Sequence, residues 1–379
     1  MYQLVTQVKE KNSNLQEKNL LSLSYGKIKR KDIDSPDGLL PASFDGYNII
    51  EDGDIVLRLT DLQNDHTSLR VGLATERGII TSAYTTLRPI DTSNSKYLYY
   101  LLHAFDLKKG FYGMGSGVRQ GLNYAEVKEL RVVLPGQDEQ NAIVRFLDNQ
   151  CGQIDSIIEE AKSSIEEYKK WRASIIFEAV TKGLNPLAEM KDSHIDWIGL
   201  VPSHWKLSRI KNELDNLDYL REPISAEKRE NILGLYDYYG ASGVIDKIDD
   251  YNVDDKVLLI GEDGANLRMR NLPLVYKAEG KFWVNNHAHI LKVHDDNCYG
   301  FIAYLLEAGD YSVFITGSAQ PKLSQFNLMR FPIVIPPLVE QQEIEAYLDE
   351  KCSAIDALIR EKKSLLSELE IYKRSLILE

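Results

Sequence analysis

Guanidinium forks and carboxamides can hold two hydrogen bonds in one plane, which is the geometry needed to read a base edge or clamp a phosphate. The chain gathers such groups in a few places. Arg58-Leu-Thr60-Asp61-Leu-Gln63-Asn64 leaves an apolar stretch and enters a turn, which would set Arg58, Thr60, Gln63 and Asn64 at an edge. Gly115-Ser116-Gly117-Val-Arg119-Gln120 is a basic, glycine-rich loop whose backbone can come close to phosphate while Arg119 positions it. It recurs as Gly317-Ser318-Ala-Gln320-Pro-Lys322, and the two loops precede Leu122 and Leu323. Asn266-Leu-Arg268-Met-Arg270 alternates polar and apolar residues, so Asn266, Arg268 and Arg270 are predicted to share one strand or turn face. Asn285, Asn286 and His287 form a further group. Tyr239 and Ser242 lie in the turn Tyr239-Gly-Ala-Ser242-Gly, where the ring could stack or pack. For each set the competing reading is a plain solvated turn.

Other chemistry is weakly supported. His287 and His289 alternate and could meet one ion with His294, but no acid or cysteine stands at ligand spacing except the distant Cys298. Asp138, Glu139 and Glu340 read as first-turn helix acids, not an acid–base pair. No Asn-Pro-Pro-Tyr-like segment suited to adenine methylation occurs, and Asn185-Pro186-Leu187 reads as a helix stop. No Gly-x-x-x-x-Gly-Lys-Ser/Thr loop cradles nucleotide phosphates. The sequence assigns this chain no catalytic residue, metal or cofactor.

The whole chain carries net charge −12, a mild argument against free-standing nucleic-acid binding, although charge acts locally and a partner subunit can supply positive field. With 379 residues and 44% hydrophobic content, two ordinary globular domains are expected. No apolar run approaches the roughly 20 residues of a membrane span. The polar start and the sparse cysteines Cys151, Cys298 and Cys352 lead to the expectation of a reducing, cytoplasmic setting without disulfides.

The elements that position these groups are written twice. Leu134-Pro135-x-x-Asp138-Glu139-Gln140-x-x-Ile143-x-x-Phe146-Leu147-Asp148, followed by Cys151, Ile154 and Asp155, returns 201 positions later. The second copy is Ile335-Pro336-x-x-x-Glu340-Gln341-x-x-Ile344-x-x-Tyr347-Leu348-Asp349, followed by Cys352, Ile355 and Asp356. Seven-residue steps through Leu147, Ile154, Ala161, Tyr168 and Ile175, with the companion row Cys151, Ile158 and Ile165, predict a coiled-coil helix over 137–182. Leu348, Ile355, Leu369 and Leu376, with Lys362 the exception in that row, and the partner row Cys352, Ile359 and Leu366 predict another over 338–379; each spans about 60 Å. Domain–helix–domain–helix order favours antiparallel pairing about a pseudo-twofold axis. The predicted divisions are a first domain over 1–136, a central helix over 137–182, a linker over 183–191, a second domain over 192–337 and the closing helix. Short strands are expected at Asp54–Arg58, Arg131–Leu134, Lys256–Ile260 and Pro332–Ile335.

Pro-x-x-x-Glu-Gln-x-x-Ile with its Leu-Asp and Ile-Asp, twice, each after a mixed domain, resembles the specificity subunit of type I restriction–modification enzymes. Ile195-Asp-Trp197-Ile-Gly199-Leu-Val-Pro202-Ser-His204-Trp205 looks like the segment that opens a target recognition domain there. The resemblance covers nearly the whole chain. It implies a mixed α+β fold with two α/β target recognition domains separated by two long helices packed as an antiparallel coiled coil. Each domain would read one half of a bipartite target on double-stranded DNA, the helices setting the unread spacer. Two methyltransferase subunits would dock on the helices and restriction subunits would join. S-adenosylmethionine, ATP and Mg are then expected in those partners, and the chain itself would be non-catalytic. The opener appears before the second domain alone; aligning Asn19 with Asn231 places Met1 near Glu213. The alternative reading is a coiled-coil scaffold with two protein- or ligand-binding domains and no DNA role.

Overall fold

The computed structural model describes residues 1–34, 41, 43–62, 64–65, 67–114, 121–229 and 234–379. The chain divides into two compact units, Met1–Lys162 with Lys363–Glu379, and Ser163–Lys362. Each long helix is therefore shared between units.

In the first unit, strands Val5–Gln7, Thr85–Pro89, Ile55–Leu57 and Val71–Leu73 lie side by side in that order, all antiparallel. Ile55, Val56 and Leu57 are all buried because both sheet faces are covered. Ile55 and Leu57 pack with Leu98 and Leu102 of helix Ser95–Leu107. Val56 packs with Leu21 and Leu23 of the hairpin formed by Leu21–Ser24 and Lys27–Arg30.

The second unit holds a six-stranded sheet in the order Leu214–Asn216, Ala288–Val293, Val253–Gly261, Val275–Val284, Tyr236–Gly240, Gly243–Ile248. Only the pairing of Tyr236–Gly240 with Val275–Val284 is parallel. Along the central strand Val257 and Leu259 face Phe282 and Ile290, whereas Leu258 and Ile260 face Phe301 and Leu305 of helix Tyr299–Ala308. This is the period-2 alternation of a sheet covered on both sides.

The helices run Gln137–Lys182 and Leu338–Leu378. The first stops at Gly183, whose φ of +74° an L side chain adopts only with strain. Leu147, Ile154, Ile158, Ile165, Leu348, Ile355 and Ile359 are buried, as are Cys151 and Cys352; Tyr168, Ile175, Leu366, Leu369 and Leu376 are half-buried. In the first unit Lys373 Nζ donates to Asp155 Oδ1 at 2.7 Å. In the second Arg172 pairs with Asp356 at 3.2 Å. Lys373 is the repeat mate of Arg172, so the Ile-Asp acids make equivalent ion pairs. In each unit the early part of one helix meets the late part of the other, the antiparallel arrangement. The Leu-Asp acids anchor domains: Tyr100 donates to Asp148 (2.9 Å) and Tyr304 to Asp349 (2.7 Å). The motif glutamines turn back on their own prolines, Gln140 Nε2 on Pro135 O at 2.8 Å and Gln341 Nε2 on Pro336 O at 2.9 Å.

Three expectations change. Arg131–Leu134 is not a strand, whereas its mate Pro332–Ile335 is one because Lys206–Arg209 pairs with it. Met1 corresponds to Ile210 and not to Glu213, because the Met1 amine donates to Leu130 O at 2.7 Å as Ile210 N donates to Phe331 O at 3.1 Å. The stretch 183–191 is not all linker, since Met190–Asp192 pairs with Leu200–Pro202 in a hairpin.

One buried group makes the first unit sensitive to acid. Burial, with the Lys373 ammonium adding to it, pushes His103 down to about 4. Its ring stacks on Tyr99 at 5.6 Å, and Nδ1 has no hydrogen-bond partner. The folded ring stays neutral where an unfolded one, with a value near 6.5, takes a proton. Stability from this site is full above pH 6.5 and is lost as pH falls toward 4, on the order of 3 kcal/mol. Thermal unfolding between pH 7 and 5 should show this slope and His103→Gln should flatten it; an unchanged slope assigns it elsewhere.

Candidate nucleic-acid interface

The polar groups of the second unit converge on one rim of its sheet. Tyr239, next to last in its strand, pairs with Val284, and Asn285 N donates to Tyr239 O at 3.1 Å. Gly261 pairs with Ala288, and Glu262 N then reaches His287 O at 2.8 Å. Asp263 bridges to Lys322, and Leu323 N donates to Glu262 O at 2.7 Å. Ala241, beside Ser242, lies against Gly261, where an added Cβ would meet Ala241 O at 2.7 Å. Ser242, Arg268, His287, Gln320 and Lys322 are exposed there.

Their freedom differs. Arg268 Nη2 donates to Gly317 O at 3.0 Å, holding the glycine-serine loop with one arm of an exposed guanidinium. Arg270 is more committed: Nη1 meets Glu307 O at 3.1 Å and Nη2 meets Gly309 O, at the end of helix Tyr299–Ala308. A cation there satisfies orphan carbonyls and the negative helix end. Asn266 is spent locally, donating to Leu272 O (3.1 Å) and Pro273 O (3.2 Å) and accepting from Leu272 N (2.9 Å). The alternation Asn266, Arg268, Arg270 is not a strand face. Asn266–Met269 is one helical turn, which sets Asn266 and Arg270 on one side and Arg268 on another. Asn285 is buried and its Oδ1 accepts from His287 N at 2.8 Å. Tyr239 is half-buried edge-on to Phe282, and burial raises its phenol.

The histidines separate. His287 Nδ1 lies 2.8 Å from Asp263 at the rim. His289 is buried, with Nδ1 2.6 Å from Asp218 and Nε2 2.8 Å from Leu323 O. Sequence reasoning missed the acids beneath the rim. Burial opposes ionisation of Glu262, but Lys322 at 2.9 Å and Arg221 outweigh it and hold its carboxyl below the ordinary range. Asp218 is held low in the same sense, His289 and Arg221 outweighing burial.

The first unit repeats the plan with different side chains. Leu122 N donates to Leu59 O at 2.9 Å, the counterpart of Leu323 on Glu262. Arg58, half-exposed, and Thr60 and Asn64, exposed, stand on this turn, and Asn64 Nδ2 donates to Asp61 Oδ1 at 2.8 Å. Asp61 takes φ of +59°, as Gly264 takes +98° in the other unit. The organiser is Arg70, buried beneath the turn. Its Nε donates to Tyr112 Oη (3.0 Å), Nη1 to Arg58 O (3.0 Å) and Thr60 O (2.8 Å), and Nη2 to Asp61 O (3.3 Å) and Asp65 O (2.5 Å). No sequence signal marks it, since Leu69-Arg70-Val71 looks like any strand entry. Gln63, Ser116, Arg119 and Gln120 lie outside the described residues.

Among the described residues no group of His, Cys, Asp and Glu is arranged to hold a metal. Among the described residues the rims offer guanidinium, ammonium, hydroxyl and carboxamide groups on turns, suited to polar recognition.

Residues 202–368 match the family model of the type I restriction modification DNA specificity domain. A putative type I restriction enzyme specificity subunit of Haemophilus influenzae is 33% identical over 146 residues, 38% of this chain and 36% of that protein. The putative type I restriction enzyme MjaX specificity subunit of Methanocaldococcus jannaschii is 30% identical over 119 residues, 31% and 26% of the respective chains. The chain thus aligns with about a third or less of these relatives' length. A solved structure described as "Structural basis underlying complex assembly and conformational transition of the type I R-M system" has the same fold. Its TM-score is 0.67 at 14% identity, covering 98% of this chain and 93% of the other.

Proposed function

We propose that this chain is the DNA-addressing subunit of a type I restriction–modification complex, a reading supported by the match of residues 202–368 to the type I restriction modification DNA specificity domain. Each rim reads one half of a bipartite double-stranded target. The helices set the unread gap and dock two methyltransferase subunits, and restriction subunits complete the assembly. S-adenosylmethionine, ATP and Mg enter with those partners, and this chain performs no chemical step. One observation carries the reading. The turn after a central strand is held by the amide of Leu122 in one unit and of Leu323 in the other, with different side chains presented on the two turns. Two words read by one architecture require that combination.

The test is to express the chain with matching methyltransferase subunits and map adenine methylation by sequencing. A bipartite motif with a fixed gap is expected. A stable complex without sequence-dependent methylation would favour the scaffold reading, and no complex at all would refute docking.

Within the motif, Arg268→Ala and Lys322→Ala should relax only the half-site read by the second unit. Each lost base-edge contact removes about 1–3 kcal/mol of discrimination, whereas a lost phosphate contact weakens all targets alike. Relaxation confined to the other half-site would overturn the assignment. Arg270→Ala should instead lower stability, since its forks hold carbonyls at a helix end.

A further inference from the structure

The loop ahead of Leu323 is docked by more than its own amide. Leu323 N donates to Glu262 O at 2.7 Å, and Leu323 O lies 2.8 Å from His289 Nε2. The other ring nitrogen, Nδ1, lies 2.6 Å from Asp218 Oδ2. The ring is 0% exposed and reaches both partners directly.

Both partners are acceptors. A backbone carbonyl has no hydrogen to give, and an ionised carboxylate has none either. The surroundings of Asp218 favour its ionised form: Oδ1 accepts from Ile290 N at 2.9 Å, and Arg221 Nη2 lies 3.3 Å from Oδ2. A neutral imidazole carries one N–H and one bare lone pair. In either tautomer that lone pair would face an oxygen lone pair in a buried site, which is costly. Turning the ring over would set carbon atoms against both oxygens. Only the imidazolium satisfies both contacts. The nearby charges belong to Arg221 and Lys322, both paired with Glu262, and to Glu262 itself, 4.0 Å from Nδ1; at the rim Asp263 pairs with His287.

The first unit has no such group. Ile260 pairs with His289 in the second sheet as Leu57 pairs with Thr85 in the first. There the cation beneath the turn is Arg70, which binds the carbonyls of Arg58 and Thr60 and keeps its charge at any working pH.

We infer that His289 is a positioning residue for recognition by the second unit, held as an imidazolium whose Nε2–H fixes the main chain at Leu323 and with it the loop that presents Gln320 and Lys322. Asp218 sets the proton count. Against its carboxylate Nδ1 keeps its hydrogen in a charge-assisted bond, so the second hydrogen is the one that reaches Leu323 O. The inference rests on the proposed reading of DNA by this rim.

The test pairs nitrogen NMR with the methylation map. In the full chain carrying isotope-labelled histidine, the His289 ring is identified by its disappearance in His289→Gln. It should show two protonated nitrogens at neutral pH. Asp218→Asn should leave one protonated and one bare nitrogen, because the carboxamide donates to Nδ1 while Nε2 keeps its hydrogen. In complexes with matching methyltransferase subunits, His289→Gln should cost about tenfold in discrimination at the second half-site, the scale of one lost hydrogen bond to a charged group, and leave the first unchanged. Asp218→Asn should keep both half-sites. A bare nitrogen in the unaltered protein overturns the inference, as does an undiminished second half-site in His289→Gln. If His289→Gln fails to fold by circular dichroism, Asp218→Asn decides: a neutral ring with both half-sites kept supports docking through Nε2–H, and a neutral ring with the second half-site lost overturns it. An unaltered complex that methylates no bipartite motif sinks the proposed function and the role in recognition with it, whereas the ring's protons are read without DNA.

Discussion

Deleting Ile158–Ser164 together with Ile359–Leu365 is expected to shorten the unread gap of the target while leaving both half-sites intact. Seven residues of helix are about 10 Å, and at about 3.4 Å per base-pair step this is about three base pairs. The cut keeps the seam in phase, because Ile165 falls where Ile158 stood and Leu366 where Ile359 stood. It also keeps the ion pairs Lys373–Asp155 and Arg172–Asp356, which lie outside the deleted segments. Deleting from one helix alone should instead misalign the seam and abolish specific methylation. Methylation mapping of the double deletion checks this. An unchanged gap would remove the ruler role from the helices, and altered half-sites would mean that reading and spacing are not separable.

The second large effect is expected from Arg70→Met. All five guanidinium N–H groups are engaged, four on main-chain carbonyls of residues 58–65. Methionine fills part of the volume and leaves those carbonyls without donors in a buried site. Burying unpaired polar groups costs about 1–3 kcal/mol each, so even partial relaxation leaves a loss on the order of 3 kcal/mol. That is a large fraction of a typical stability of about 5–15 kcal/mol. The half-site read by the first unit should disappear from the methylation map while the other persists. Arg70→Lys should rescue little, since one ammonium cannot reach five acceptors in a fork. Retention of both half-sites in Arg70→Met would show that the turn is not a reader.

The long helices were legible because a seam repeats one simple rule many times. Leu147 and Ile154 lie seven residues apart, as do Ile158 and Ile165, and all four are buried. Individual reading residues were far less legible. Asn266 and Arg270 have the chemistry of base readers, yet they tie a loop and a helix end through main-chain carbonyls. Arg268, two positions from either, keeps most of its guanidinium in solvent. The difference lies in which carbonyls happen to pass within reach, and a pattern of residue types does not encode that.

The sequence by itself determined that the protein is duplicated, that two long helices form and pair, and that acids stand at each helix start. These follow from periodicity, which is local. It also supplied the motif Pro-x-x-x-Glu-Gln with its Leu-Asp and Ile-Asp, but not their physical roles. Tertiary structure decided those roles: Gln140 and Gln341 bond back to prolines, Asp148 and Asp349 hold tyrosines, and Asp155 and Asp356 hold cations across the helix pair. Tertiary structure also decided that Pro332–Ile335 is a strand while Arg131–Leu134 is not. A strand exists only with a neighbour to accept its hydrogen bonds, and that neighbour comes from a segment more than a hundred residues away.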